Sequence, residues 1–336
     1  MNIASWKIAD ILEKYPFCTT FFEENLLEIT NKTHLTLPQL LDTLEEEEME
    51  DKAIDKDEVI ESLNTYIAQM LSFLGADNSN VVDSIAIVAG HDKSGVAETF
   101  EQLFISKSEI VCIVGPTGSG KSRLLADIEW TAQGDTPTGR SILINGEVPD
   151  KKWRFSAGNK LVAQLSQNMN FVMDLTVKEF LELHAKSRLV EDVEGITKKI
   201  IAQANNLAGE TFDVDTPITS LSGGQSRALM ISDTAILSSS PIVLIDEIEN
   251  AGIDRKKALA LLVGEEKIVL MATHDPILAL MGDRRIIIKN GGINKVIVTS
   301  PEEKNLLIEL EKMDEVIQGM RKKLRAGEIL PETIGG

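Results

Sequence analysis

The run Gly115-Pro116-Thr117-Gly118-Ser119-Gly120-Lys121-Ser122 constrains this chain more than any other stretch. Its glycines let a backbone curl until several N–H groups point inward at one anion, and the lysine behind them adds a charge for phosphate oxygens. Such a loop works only between a strand and a helix, and the neighbouring residues supply both. Ile110 to Val114 are consecutive apolar residues that read as a buried strand, while Leu124, Leu125 and Ile128 recur beyond the loop at helical spacing. The loop therefore predicts nucleotide binding. Lys121 is expected on the outer phosphates, the Ser122 hydroxyl on Mg²⁺, and the helix N-terminus behind both.

About a hundred residues later stands Leu221-Ser222-Gly223-Gly224-Gln225. Ser222 can cap a helix beginning near Gly223, and the paired glycines leave backbone N–H groups open to an incoming anion. Together with the phosphate loop, this segment resembles the ATP-binding cassette (ABC) ATPases. The resemblance implies an α/β P-loop core with a helical signature subdomain, hydrolysis of ATP with Mg²⁺, and a head-to-tail homodimer. In that dimer Ser222, Gly223, Gly224 and Gln225 of one protomer would act in trans on the γ-phosphate held by the other.

Further residues carry the resemblance. Ile242 to Ile245 form an apolar strand ending in Asp246-Glu247, similar to the family's Walker B pair. Asp246 would hold Mg²⁺ and Glu247 would polarise the attacking water. Thr273-His274-Asp275 follows the strand Lys267 to Met271, and His274 resembles the switch histidine that contacts the γ-phosphate. Gln167, nine residues before Thr176, resembles the glutamine that senses Mg²⁺ and links the core to the helical subdomain. The implied catalytic residues are Glu247, His274 and Lys121, and the implied Mg²⁺ residues are Ser122, Gln167 and Asp246.

The sequence also departs from the family pattern. Arg123 stands where a threonine is usual, expected as a cation at the mouth of the phosphate site. The stretch Ile248-Glu249-Asn250-Ala251-Gly252-Ile253-Asp254 runs one residue long and lacks a proline, with Asp254 expected as the D-loop carboxylate. No Phe, Tyr or Trp lies between Phe73 and Phe100 to stack on adenine. His91, in Gly90-His91-Asp92-Lys93-Ser94-Gly95, sits at the distance to do so, with an ordinary turn histidine as the equal alternative.

Residues 1–78 read as a separate helical domain, with apolar stripes through Trp6 to Tyr15, Phe17 to Leu27, Leu37 to Leu44, and onward from about Asp57. Pro16 separates the first two, Thr36 and Pro38 start the third, and Gly75 to Asn80 form a linker. The domain carries 17 acidic and 5 basic residues, most of the chain's net charge of −19. Nucleic acid is excluded on charge, since phosphate contacts need clustered Lys and Arg, and Arg321-Lys322-Lys323-Arg325 reads as a solvated helix face. The element Ile11 to Pro16, the Phe21-Phe22 pair and the start at Leu35-Thr36-Leu37 resemble the small domain of hybrid-cluster-associated and iron–sulfur-repair proteins. Relatives there carry paired cysteines, whereas this domain has only Cys18, so a protein-docking role is expected and Cys18 reads as a small hydrophobe.

The cassette is expected over 81–300, its helical subdomain over about 165–235, and an amphipathic tail over 301–336. The tail's Leu306, Leu307, Leu310, Met313, Val316, Ile317, Met320 and Leu324 face either the cassette or a second protomer. No apolar run approaches the roughly 18 residues of a membrane span, and a cytoplasmic location is expected. Two roles follow: a soluble ATPase that energises a partner protein docked on the helical domain or near Gln167, or the nucleotide-binding subunit of a transporter, touching the membrane only through a permease. The helical fusion, missing aromatic and altered D-loop favour the first.

Overall fold

The computed structural model describes residues 3–45, 49, 54–73, 81–150, 152–155, 160–165, 171–246 and 252–330. The chain opens on a helical domain of α1 (Ile8–Lys14), α2 (Cys18–Glu24), α3 (Leu37–Leu41) and α4 (Lys56–Phe73). Ile8, Ile11, Cys18, Phe22, Leu37, Leu41, Leu63 and Ile67 close its core. Thr36 and Gln39 form a reciprocal cap on α3, with proline in the first turn. Two helices end earlier than their apolar stripes. The Asn25 amide bonds back to the Phe21 carbonyl, and the Thr43 hydroxyl takes the Leu40 carbonyl. Each competes with a further helical turn. Leu26 consequently turns to solvent and Leu27 returns to the core. The Gly75 to Asn80 linker lies outside the described residues.

The cassette follows with β1 (Ser84–Val88), β2 (Gln102–Ser106), β3 (Ile110–Val114), α5 (Lys121–Glu129), β4 (Ser141–Ile144), α6 (Lys152–Phe155) and β5 (Val162–Leu165). A helical layer of α7 (Val177–Ser187), α8 (Val193–Leu207) and α9 (Gly223–Ile236) leads to β6 (Ile242–Asp246), α10 (Arg255–Gly264), β7 (Ile268–Ala272) and α11 (Pro276–Met281). The chain closes with β8 (Arg284–Lys289), β9 (Gly292–Val298) and α12 (Pro301–Arg325). One sheet is antiparallel in the order β2-β1-β4, and the other runs β5-β6-β7-β3-β8-β9, parallel except for β9. Strands β3, β6 and β7 are nearly continuous apolar runs because helices or the second sheet cover both faces.

Lys267 stands just outside β7, because its buried amine donates to the Ser238 and Ser240 carbonyls; burial pulls its pKa down to about 8. Helix α12 packs on α10 and α11, pinned by Arg285–Glu303, Lys256–Glu311 and Arg255–Asp314 pairs. The amino-terminal domain rests on the turn between α7 and α8, where Leu189 packs against its core and Lys14 reaches Glu191 at 2.6 Å. That ion pair is exposed and weak, so the apolar contact sets the seating.

Candidate functional site

The order β6-β7-β3 places three strand ends side by side. Asp246 is level with Ala272, and Ala272 with Ile113, so the carboxyl ends of β6, β7 and β3 finish flush. In an open parallel sheet this edge is where ligands bind. Each end delivers one element found in the sequence: Asp246 from β6, Thr273-His274 from β7, and the glycine-rich loop from β3.

The loop is held by close backbone packing. Gly120 has φ of 109° and caps α5, and a Cβ there would sit 2.7 Å from the Gly291 Cα in the β8–β9 turn. A Cβ on Gly115 would lie 2.5 Å from the Ile288 carbonyl oxygen. The Gly291 amide donates to the Ser119 carbonyl at 2.6 Å, fastening turn and loop together. Gly120→Ala is therefore expected to displace the loop and weaken binding of a fluorescent ATP analogue at least tenfold, of the order that about 1.4 kcal/mol of strain produces. Unchanged affinity in titration would show that the turn yields freely.

Inside the loop the Lys121 ammonium donates to the Gly115 carbonyl at 2.8 Å and the Pro116 carbonyl at 3.3 Å. The His274 Nε2 lies 3.4 Å from the same nitrogen. A cation and an imidazole thus converge from β3 and β7 on one point. The Ser119 hydroxyl is buried there without a hydrogen-bond partner, which is costly unless a ligand acceptor completes it. The loop therefore fits a polyphosphate. Ser122 and Asp246 add one hydroxyl and one carboxylate, a sparse set suited to Mg²⁺, which keeps phosphate and water ligands. Among the described residues no group of three or more His, Cys, Asp or Glu forms a metal cage. Cys18 is buried in the amino-terminal core, and burial pushes its thiol up to about 12, so it stays protonated and unreactive.

Other expected residues are placed differently. Arg123 does not reach across the phosphate mouth; its Nε lies 3.5 Å from the Asp127 carboxylate one turn along α5. The His91 ring packs by Gly139, with Nδ1 at the Asp92 carbonyl, in a turn whose Lys93 ammonium reaches the Gly118 carbonyl at 3.0 Å. Lys93 is thus the member of that turn that touches the phosphate loop. Ser222 and Gln225 form a reciprocal cap on α9, and the Gln225 side-chain amide donates to the Glu210 and Thr211 carbonyls. The segment lies at the surface, with Ser222 and Gly223 exposed. Asp254 caps α10 through the Lys257 amide, and Ile253 bridges to Ala208 at the end of α8. Gln167 and Glu247 lie outside the described residues.

Sequence reasoning missed the support beneath the loop. Arg140 is fully buried and pairs with Glu98 at 2.5 Å and Asp127 at 3.1 Å, while its Nη2 donates to the Gly291 carbonyl. Burial alone would push the Glu98 carboxyl up, but Arg140 and the Gly90 and Ile293 amides hold it below its usual range. The available signal was Asp127 itself, three residues after Leu124 on the apolar side of α5. Arg255 is a second omission: it joins Asp275, next to His274, to Asp314 on α12 at 2.9 and 2.7 Å.

The family described as ABC transporter matches residues 102–250. A protein described as an uncharacterised ABC transporter ATP-binding protein of Methanocaldococcus jannaschii is 53% identical over 249 residues, which is 74% of this chain and 95% of the relative. The thiamine import ATP-binding protein of Haemophilus influenzae is 31% identical across 58% of this chain and 89% of its own length. Among solved structures, cbiO1 of Clostridium perfringens, described as part of an ABC transporter complex, superposes with a TM-score of 0.50 at 19% identity, over 74% of this chain and 100% of that one. It shows the shared fold.

Proposed function

As this chain belongs to the ABC family and is an ATPase of that class, we propose that it works as the nucleotide-binding subunit of a membrane transporter, closing head to tail on ATP with a second copy. The nucleotide chemistry is carried by the meeting of Lys121 and His274 at the ends of β3 and β7. The transporter role is carried by the relatives, which are described as transporter ATP-binding proteins. Those relatives move the reading away from the soluble activator that the sequence alone favoured.

In this reading Lys121 leaves the loop carbonyls for the β- and γ-phosphates, and the loop amides and the α5 N-terminus stabilise the charge. Bound Mg²⁺, held by Ser122 and Asp246, would neutralise charge on the phosphate oxygens. Glu247 orients water and His274 contacts the γ-phosphate. Ser222, Gly223, Gly224 and Gln225 complete the site from the partner, since the exposed start of α9 turns a positive helix end toward an incoming anion.

Turnover per protomer should therefore rise with protein concentration unless the dimer is permanent, and Glu247→Gln should accumulate dimers that keep ATP bound through gel filtration. Captured from a detergent extract, those dimers should retain an integral permease. Recovery instead of a soluble enzyme, lost when residues 1–78 are deleted, would restore the activator reading. A second reading is favoured by the described residues before 74, which bury an apolar cluster around Ile8, Phe22 and Leu63, while about a quarter of the chain is unmatched by the Methanocaldococcus relative. We propose the segment before the cassette as a protein-docking module; the iron–sulfur-repair resemblance rests on Ile11 to Pro16, Phe21-Phe22 and Leu35-Thr36-Leu37, and in place of paired cysteines this segment has only Cys18, whose thiol burial keeps protonated.

A further inference from the structure

Helix α12 carries apolar side chains on two faces, one of them turned toward the cassette. Leu307, Ile308 and the stem of Lys304 line a groove against Leu259, Val263 and Met281 of α10 and α11. About a quarter turn away run Leu306, Leu310, Met313, Ile317, Met320 and Leu324, spaced 4-3-4-3-4. That is the a/d spacing of a left-handed coiled coil, sustained along about 27 Å of helix. In the isolated chain Leu306 is 48% exposed, Met313 62%, Ile317 46% and Leu324 58%. Leu310 and Met320 are half-buried, and a regular seam with four of its six side chains exposed calls for a helix of the same period.

We propose that this seam pairs with α12 of a second copy of this chain as an antiparallel two-stranded coiled coil, holding two cassettes together before ATP does. The flanking charges select both partner and direction. In a parallel pair Glu309 would face only Asp314 of the other copy, whose charge Arg255 already takes, so no ion pair would flank the seam. In the antiparallel register Leu306 meets Leu324, Leu310 meets Met320 and Met313 meets Ile317, and Glu309 faces Lys323 twice. Asp314 would then face its own copy, but Arg255 already neutralises it at 2.7 Å. Arg255 directly follows Asp254 of the D-loop, so the seam stands beside the edge that the head-to-tail ATP dimer uses. The inference rests on that dimer only for this adjacency.

The test uses the full chain without nucleotide, so that its failure is separable from failure of the ATP-driven dimer. Light scattering across a concentration series should show the 36.9 kDa chain doubling its mass, and Ile317→Asp should leave it monomeric while its affinity for a fluorescent ATP analogue is retained. Glu309→Lys should weaken the dimer, and adding Lys323→Glu should restore it. Oxidation should crosslink the double variant Met313→Cys, Ile317→Cys but not Met313→Cys alone, with the buried Cys18 and Cys112 silent. A nucleotide-free monomer at every concentration would overturn the proposal. So would a dimer indifferent to Ile317→Asp, or crosslinking by Met313→Cys alone.

Discussion

Replacing Lys121 with alanine is expected to lower ATP turnover by about 10²- to 10³-fold, the cost of removing one preorganised charge from a site whose catalysis is mostly electrostatic. The ammonium sits where the loop carbonyls and the His274 imidazole converge, within 2.8 to 3.4 Å of each. It bonds to the loop's own carbonyls and belongs to a part-exposed residue at the start of α5, so the fold should survive its loss. The measurement is steady-state turnover beside a thermal melt. Turnover within a few-fold of wild type would remove Lys121 from the chemistry, whereas a large fall in melting temperature would make its role structural.

Arg140→Met is expected to cost about 3–5 kcal/mol of stability, the penalty for leaving buried charge unpaired. Glu98 and Asp127 lose their shared cation, and the Gly291 carbonyl loses a donor. Because Gly291 is bonded to Ser119, affinity for nucleotide should fall along with the melting temperature. The pH dependence has a definite sign. Arg140 and two amides hold the folded Glu98 carboxyl below its usual value of 4.5, so this stability is full above that value and is lost as pH falls through the depressed one. The gap between wild type and Arg140→Met should therefore narrow below about pH 4.5. A gap that stayed constant into acid would mean that the lost stability does not depend on ionised Glu98, and an undisturbed melt at neutral pH would mean that water replaces the guanidinium.

Much of the site was legible because its requirements are local. A phosphate loop needs glycines, a lysine and a strand-to-helix context within a dozen residues, and β3, the loop and α5 follow that reading closely. The signature cap is equally local, with Ser222 and Gln225 bonding each other across three residues. Asp246 and His274 could be found because each follows a short apolar strand. Less legible were the contacts of residues whose partners are distant or in competition. Arg123 turned toward Asp127 because a buried carboxylate one helical turn away lies within its reach, and His91 settled beside Gly139 once its turn was tied to Thr138.

The sequence by itself determined the phosphate loop, the strand pattern, the helix caps and the period of the α12 seam, since each is written within one or two turns of chain. Only the tertiary structure decided that β6, β7 and β3 lie flush, and that Lys121 meets His274 across 153 residues. It also decided that Arg140 buries its charge beneath Gly291, and that Arg255 ties the His274 segment to α12. Those contacts depend on strand order and on which carboxylates lose their water together. Both are properties of the packed sheet, and no periodicity along the chain encodes them.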